Sequence, residues 1–393
     1  MLNTSFTSWP SFSEEEANAV KNVLLSNKVN YWTGNECREF EKEFAVWSNS
    51  KYAIALANGT LALDNALRAL NIGAGNEVIV TSRTYISSVS CIVNAGAIPI
   101  FVDVDLNSQN VKVESIKSLI NIKTKAIVCV HLAGWPCEMD PILNLANEFN
   151  LHVIEDCSQA HGAKYKGKPV GSIGNIGCWS FCQDKIMTTG GEGGMVTTND
   201  KSLWNKMWSY KDHGKSYEAV YKKKHPDGFS FRWYNESFGT NWRMTEMQGV
   251  IGRIQLKRMQ NWQTKRITNA NKIWNTARHY KSLRVPSIPD YIEHAAYKCY
   301  VFVESKELKK GWSRDKIIKE INVLGVPCQS GACSEVYLEK AFDNTGFRPK
   351  KRLVNAKELG ENSIMFLVHP TLTKDEIQQT CDAITSVMNM ATK

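Results

Sequence analysis

The sequence has little of what would place it in a membrane, on a metal or on nucleic acid. None of its apolar runs is long enough to span a bilayer, and the opening MLNTSFTSWPSFSEEE has no basic flank leading into an apolar run. A soluble cytoplasmic protein with no membrane association is expected. The 11 cysteines include no Cys-x-x-Cys pair. The nearest neighbours, Cys178 with Cys182 and Cys328 with Cys333, are separated by three and four residues rather than the usual two, and no histidine cluster accompanies them. Reduced thiols packed in a core are therefore expected, and no metal. The net charge of +9 favours anionic partners in general, yet the basic runs are short, YKKKH at 221–225 and RPKKR at 348–352. They read as solvated loops. No zinc-finger, homeodomain or RNA-recognition signature goes with them, so nucleic acid is not an expected partner. Internal repeats and low-complexity segments are also lacking.

What is present is an ordinary globular composition, 43% hydrophobic and 22% charged, over 393 residues, which fits a large domain and a smaller one. Ser13 and Glu16 have capping-box spacing ahead of Val20, Val23 and Leu24, so a helix should start there. From residue 52, short β-branched runs (YAIALA, EVIVTS, IPIFVDV, KAIVCV, LHVIED) alternate with stretches that can each hold a helix. That alternation predicts an α/β fold, a large domain with a mainly parallel sheet of the seven-stranded type covered by helices. A long helix is predicted from about Met244 to Tyr280. The strand, helix, strand, helix pattern after VPSIPD then predicts a smaller C-terminal α/β domain. The boundary is placed at 255, with 1–255 as the large domain and 256–393 as the connecting helix and small domain.

Ligands of such sheets bind beyond the carboxyl ends of the strands. There the sequence turns polar and glycine-rich: NGT at 58–60, RTY at 83–85, HLAG at 131–134 and EDCSQAHGA at 155–163. The segment GCWSFCQDKIMTTGGEGGMVTTND carries one lysine, Lys185, followed by Gly190, Gly191, Gly193 and Gly194. Alone it reads as a surface turn. A nucleotide phosphate loop would need its lysine after the glycines, and Lys185 precedes them. The acidic strand end at Asp156 changes the reading, because a carboxylate against a pyridine nitrogen keeps that ring protonated and able to accept electrons. A lysine amine supplies the complementary half, first as a covalent anchor and then as a base.

The chain resembles the DegT/DnrJ/EryC1/StrS family of sugar aminotransferases, which have the aspartate-aminotransferase type of fold. The resemblance runs through ANGTLALDNALRALNIGAGNEVIV, GAIPIFVDVD, EDCSQAHGA, the lysine segment, TNWRMTEMQGVIGRIQL and HPTLTKDEI. It implies pyridoxal 5'-phosphate as cofactor, Lys185 as its Schiff-base lysine and Asp156 as partner of the pyridine nitrogen. Gly59 and Thr60 would hold the phosphate at a helix N-terminus, with Ser180 as a further ligand. Tyr85 would stack on the ring and Gln159 would sit by its hydroxyl. Asn241 resembles a residue given to the neighbouring subunit's phosphate site, which implies a homodimer with shared active sites. Glutamate would be the amino donor and a carbonyl sugar the acceptor. Tyr31 and Trp32 resemble an N-terminal substrate wall, although a core contact is the alternative. His131 and His161 are open between contact with ring or substrate and burial for packing.

Two departures bear on the substrate. Cys182, Gln183 and Asp184 stand where the family usually has segments such as SFHATK or SFYGNK, and GVPCQSGACSEVYLEKAF at 325–342 lacks a histidine found in many nucleotide-sugar members. The FCQDK segment and the basic balance most resemble the branch that aminates the C8 aldehyde of oxidised Kdo, giving 8-amino-3,8-dideoxy-manno-octulosonate for lipopolysaccharide. Arg83, Arg232 or Arg243 would then meet the sugar carboxylate. The alternatives are a nucleotide-linked 3- or 4-keto-6-deoxy sugar and, in another class, a non-catalytic regulatory protein on the same scaffold.

Overall fold

A computed structural model describes residues 6–222 and 233–393. Seven strands form the central sheet: β1 (Tyr52–Leu56), β2 (Glu77–Thr81), β3 (Ile98–Val102), β4 (Thr124–Val130), β5 (His152–Asp156), β6 (Ile176–Ser180) and β7 (Gly194–Thr198). Their order is β1-β7-β6-β5-β4-β2-β3. All run in one direction except β7, which pairs antiparallel with both β1 and β6. Four of the links, β1–β2, β2–β3, β3–β4 and β4–β5, hold helices, and the β5–β6 link (157–175) crosses without one, whereas the link from 181 to 193 is short and glycine-rich, and the chain turns back. Residues of β1, β4, β5, β6 and β7 are almost all buried, which explains their unbroken apolar spelling.

Helix α1 (Glu14–Leu25) begins with the Ser13–Glu16 capping box. It packs with α2 (Glu36–Trp47) on the long helix α5 (Glu246–Ala277), while α3 (Gly59–Ala69) and α4 (Ser87–Asn94) cover the sheet. Beyond α5 lies a four-stranded antiparallel sheet of β8 (Leu283–Arg284), β9 (Cys299–Val303), β10 (Cys328–Gln329) and β11 (Ser363–Phe366), ordered β8-β9-β11-β10. The terminal helix α6 (Lys374–Ala391) opens with the Thr373–Glu376 capping box and buries Ile377, Ile384, Val387 and Met388.

The two sheets are tied beside the strand ends. Arg83 is fully buried, donating to Gln109 (3.0 Å) and to the Ser363 hydroxyl (2.9 Å). Asp103 accepts the amides of Asn355 and Ala356 at 3.0 and 2.9 Å. No helix among the described residues is long and apolar enough to cross a membrane.

Candidate active site

A cavity of about 560 Å³ opens at the carboxyl ends of β5 and β6. One wall is the start of α3, where the Asn58 side chain accepts the Leu61 amide at 3.0 Å, and Gly59 and Thr60 present the first turn. Such an N-terminus suits an anion, and the hydroxyls of Thr60 and Ser180 border the same cavity. Gly59 is required here because a Cβ would lie 2.5 Å from that of Ser180. A Cβ on Gly194 would lie 2.2 Å from the Asn58 carbonyl oxygen. Part of the glycine run thus serves close packing of β7 on the α3 start rather than a phosphate loop.

Opposite stands Asp156, nearly fully buried at the end of β5. Ser88 donates to its Oδ2 (2.7 Å) and the Ser158 amide to its Oδ1 (3.1 Å). A carboxylate oxygen has two lone pairs, so acceptor capacity remains for a protonated ring nitrogen. Lys185 lines the cavity on the β6–β7 link, with its Nζ 3.3 Å from Asp184 Oδ1 and 5.4 Å from the centroid of the Tyr297 ring. Burial works to raise the Asp184 carboxyl pKa, but Lys185, the Tyr297 hydroxyl and Lys298 outweigh it and hold it below the usual range. Behind the lysine, the Trp9 indole donates to the Lys185 carbonyl at 2.8 Å. Gln159 accepts the Ala133 amide at 2.9 Å, and exposed Tyr85 overhangs the opening.

The structure therefore brings Gly59, Thr60, Tyr85, Asp156, Gln159, Ser180 and Lys185 to one cavity. Other expected site residues lie elsewhere. His131 is fully buried, accepting the Cys137 amide on Nδ1 (2.9 Å) and facing Glu155 through Nε2 (3.0 Å). Glu155 also accepts the amides of Gly171, Ile173 and Gly174, so the His131–Glu155–Cys157 cluster is spent on internal bonds. His161 is fully buried between Trp179 and Phe181, and burial, with Lys185 and Arg266 adding to it, pushes its pKa down to about 3. For both histidines the burial alternative is the one seen. Tyr31 is buried in the core, donating to Glu41 at 3.1 Å, and borders a different groove. Arg243 pairs with Asp212, and Arg83 is enclosed between the two sheets; neither lines the cavity. Asn241 is exposed and bridges to Asp212. Arg232 and most of YKKKH lie outside the described residues.

Sequence reading missed Ser88, Trp9, Tyr297 and Lys298. Ser88 and Trp9 reach the site only through tertiary packing. Lys298 left one signal, a charged residue opening an otherwise apolar strand run.

A seven-stranded α/β sheet with a lysine, a strand-end carboxylate and a helix N-terminus around one cavity defines the class, a pyridoxal-phosphate-dependent aminotransferase. The sequence matches the DegT/DnrJ/EryC1/StrS aminotransferase family over residues 10–385, and the chain belongs to that family. An aminotransferase structure from Psychrobacter cryohalolentis is 64% identical, with a TM-score of 0.96 over 98% of this chain and 99% of that one. The dTDP-3-amino-3,6-dideoxy-alpha-D-galactopyranose transaminase of Aneurinibacillus thermoaerophilus is 30% identical over 95% of each chain. The GDP-perosamine synthase of Escherichia coli O157:H7 is 44% identical over 63% of this chain and 64% of its own.

Proposed function

We propose that the protein moves an amino group from glutamate to a ketone- or aldehyde-bearing sugar used in surface polysaccharide synthesis, in the cytoplasm and as a homodimer. The observation that carries this reading is the convergence of Lys185, the Asp156 carboxylate and the start of α3 on one cavity. The printed activities of the two curated relatives support a sugar as acceptor.

In this reading Gly59, Thr60 and Ser180 hold the cofactor phosphate, Asp156 faces the ring nitrogen, Tyr85 lies on the ring and Gln159 sits beside its hydroxyl. The bound cofactor supplies an electron-accepting ring for the carbon that loses its proton. The Lys185 amine takes that proton from the donor carbon, and in the second half-reaction delivers one to the sugar carbon. Ser88 fixes the Asp156 carboxylate, and Asp184 orients the Lys185 amine. Exposed Asn241 completes the partner subunit's phosphate site.

Two acceptors compete: a nucleotide-linked 3- or 4-keto-6-deoxy sugar, and the C8 aldehyde of oxidised Kdo. The relatives' names favour the first, and the FCQDK segment is what favours the second. The test is the visible spectrum of the purified protein before and after glutamate, alongside Lys185→Ala. A yellow band that bleaches with glutamate, is absent from the variant and returns with one carbonyl sugar of a panel is the expected result. Absence of any band after adding pyridoxal phosphate would overturn the reading.

A further inference from the structure

A second cavity, of about 540 Å³, adjoins the first between the strand-end loops and the small domain, and Thr84, Tyr85, Gln159, Asp184 and Lys185 border both. On its small-domain side stands Lys298, immediately before β9. This half-buried ammonium lies 4.8 Å from the Tyr297 ring centroid and makes no hydrogen bond or ion pair with any described residue. The nearby carboxylate, Asp184, is already engaged by Lys185 and the Tyr297 hydroxyl. Glu339, the other carboxylate on this cavity, accepts the Cys333 thiol at 3.8 Å. Behind lies fully buried Arg266, whose Nε and Nη2 have no partner among the described residues.

A cation drawn out of water without an acceptor is costly, and a bound anion removes that cost. Burial, reinforced by Arg266 and Lys185 against the pull of Asp184, lowers the Lys298 pKa to about 8, the response of an ammonium short of counter-charge. The anion can be identified from the reaction. An amino-acid donor carries its α-carboxylate on the very carbon that reacts at Lys185, so a cation must stand in the space adjoining that amine. The phosphates of a nucleotide sugar, or the carboxylate of an octulosonate aminated at C8, lie many bonds from their reacting carbon.

We propose that Lys298 is the carboxylate-binding residue for the amino donor, closing the donor subsite from the small domain. The assignment rests on the aminotransferase reading above. Its test compares wild type with Lys298→Met and Lys298→Arg as holoproteins. Glutarate, a dicarboxylate with no amine to react, is titrated by calorimetry, and the glutamate concentration that half-bleaches the visible band is measured in parallel. Both should weaken about tenfold or more in Lys298→Met, since a charged hydrogen bond is lost, and largely persist in Lys298→Arg. An unchanged band before glutamate shows the variant folded and loaded; if Lys298→Met loses it, Lys298→Gln is read the same way. Saturation of the amine-loaded protein by a neutral carbonyl sugar should not move. Wild-type glutarate affinity in Lys298→Met, or a defect confined to the sugar arm, would overturn the proposal. If wild type shows no band, the aminotransferase reading fails by itself, and the glutarate titration still tests Lys298.

Discussion

His161 illustrates how burial alone decides what a titratable residue can do. Its ring is fully enclosed, its nitrogens find no partner among the described residues, and its pKa falls to about 3. Protonation then favours the unfolded chain, where the ordinary value applies. The contribution to stability is complete above roughly pH 6.5 and is lost as pH falls toward the folded value, by up to about 1.4 kcal/mol per pH unit. His294 and His369 are likewise pushed to about 3, chiefly by burial. Thermal midpoints should therefore drop between pH 6.5 and 4, and His161→Phe, which suits the space between Trp179 and Phe181, should flatten that slope by removing one of the contributions. A variant as steep as wild type would exonerate His161. That Lys185 and Asp156 meet at one cavity was legible in the sequence because both follow strand-like runs whose carboxyl ends gather at one edge of the sheet. His131 and His161 were not, because a histidine after a strand spells the same whether it faces a ligand or a tryptophan.

Among the elements, the segment before α1 has a role that its spelling hides. Trp9 packs edge-on against Trp262 with centroids 5.1 Å apart, lies 5.0 Å under the Arg266 guanidinium and donates to the Lys185 carbonyl. Thr7 reaches Glu376 in the cap of α6. Thr7 and Trp9 thus strap the lysine-bearing link to α5 and to the last helix. Trp9→Phe keeps most of the packing but removes the donor, and should cost about 1 kcal/mol. A lowered thermal midpoint with a weakened visible band is expected; an unchanged midpoint would show that the strap contributes nothing. The link it holds is also where β7 reverses. Helical periodicity and apolar runs marked the parallel strands, but strand direction depends on whether the connecting chain can cross the sheet.

For the whole molecule, the proposed homodimer fixes how many chains build one site, and subunit exchange measures it. Asn241 is exposed and does not line the cavity of its own chain, and the proposal above assigns it to the partner's site. In a twofold dimer with shared sites, Asn241→Ala and Lys185→Ala damage opposite contributions. After subunit exchange half the dimers are mixed, each with one of two sites intact, so about a quarter of wild-type activity should return. Exchange shown by differential tagging, without any recovered activity, would confine the site to one chain.

By itself the sequence determined the α/β class and the capping boxes of α1 and α6, and its motifs pointed to the family and, through it, to the seven residues that line the first cavity. The first two are local, resting on apolar periodicity and cap chemistry, and the last two rest on the resemblance of several motifs occurring in one order along the chain. Only the tertiary structure decided that Ser88 holds Asp156, that Trp9 braces Lys185, that Arg83 spans the two sheets instead of meeting a substrate, and that Lys298 is left facing a cavity. Each depends on segments far apart in the chain meeting at one point, and on whether a charge there finds a partner or remains without one.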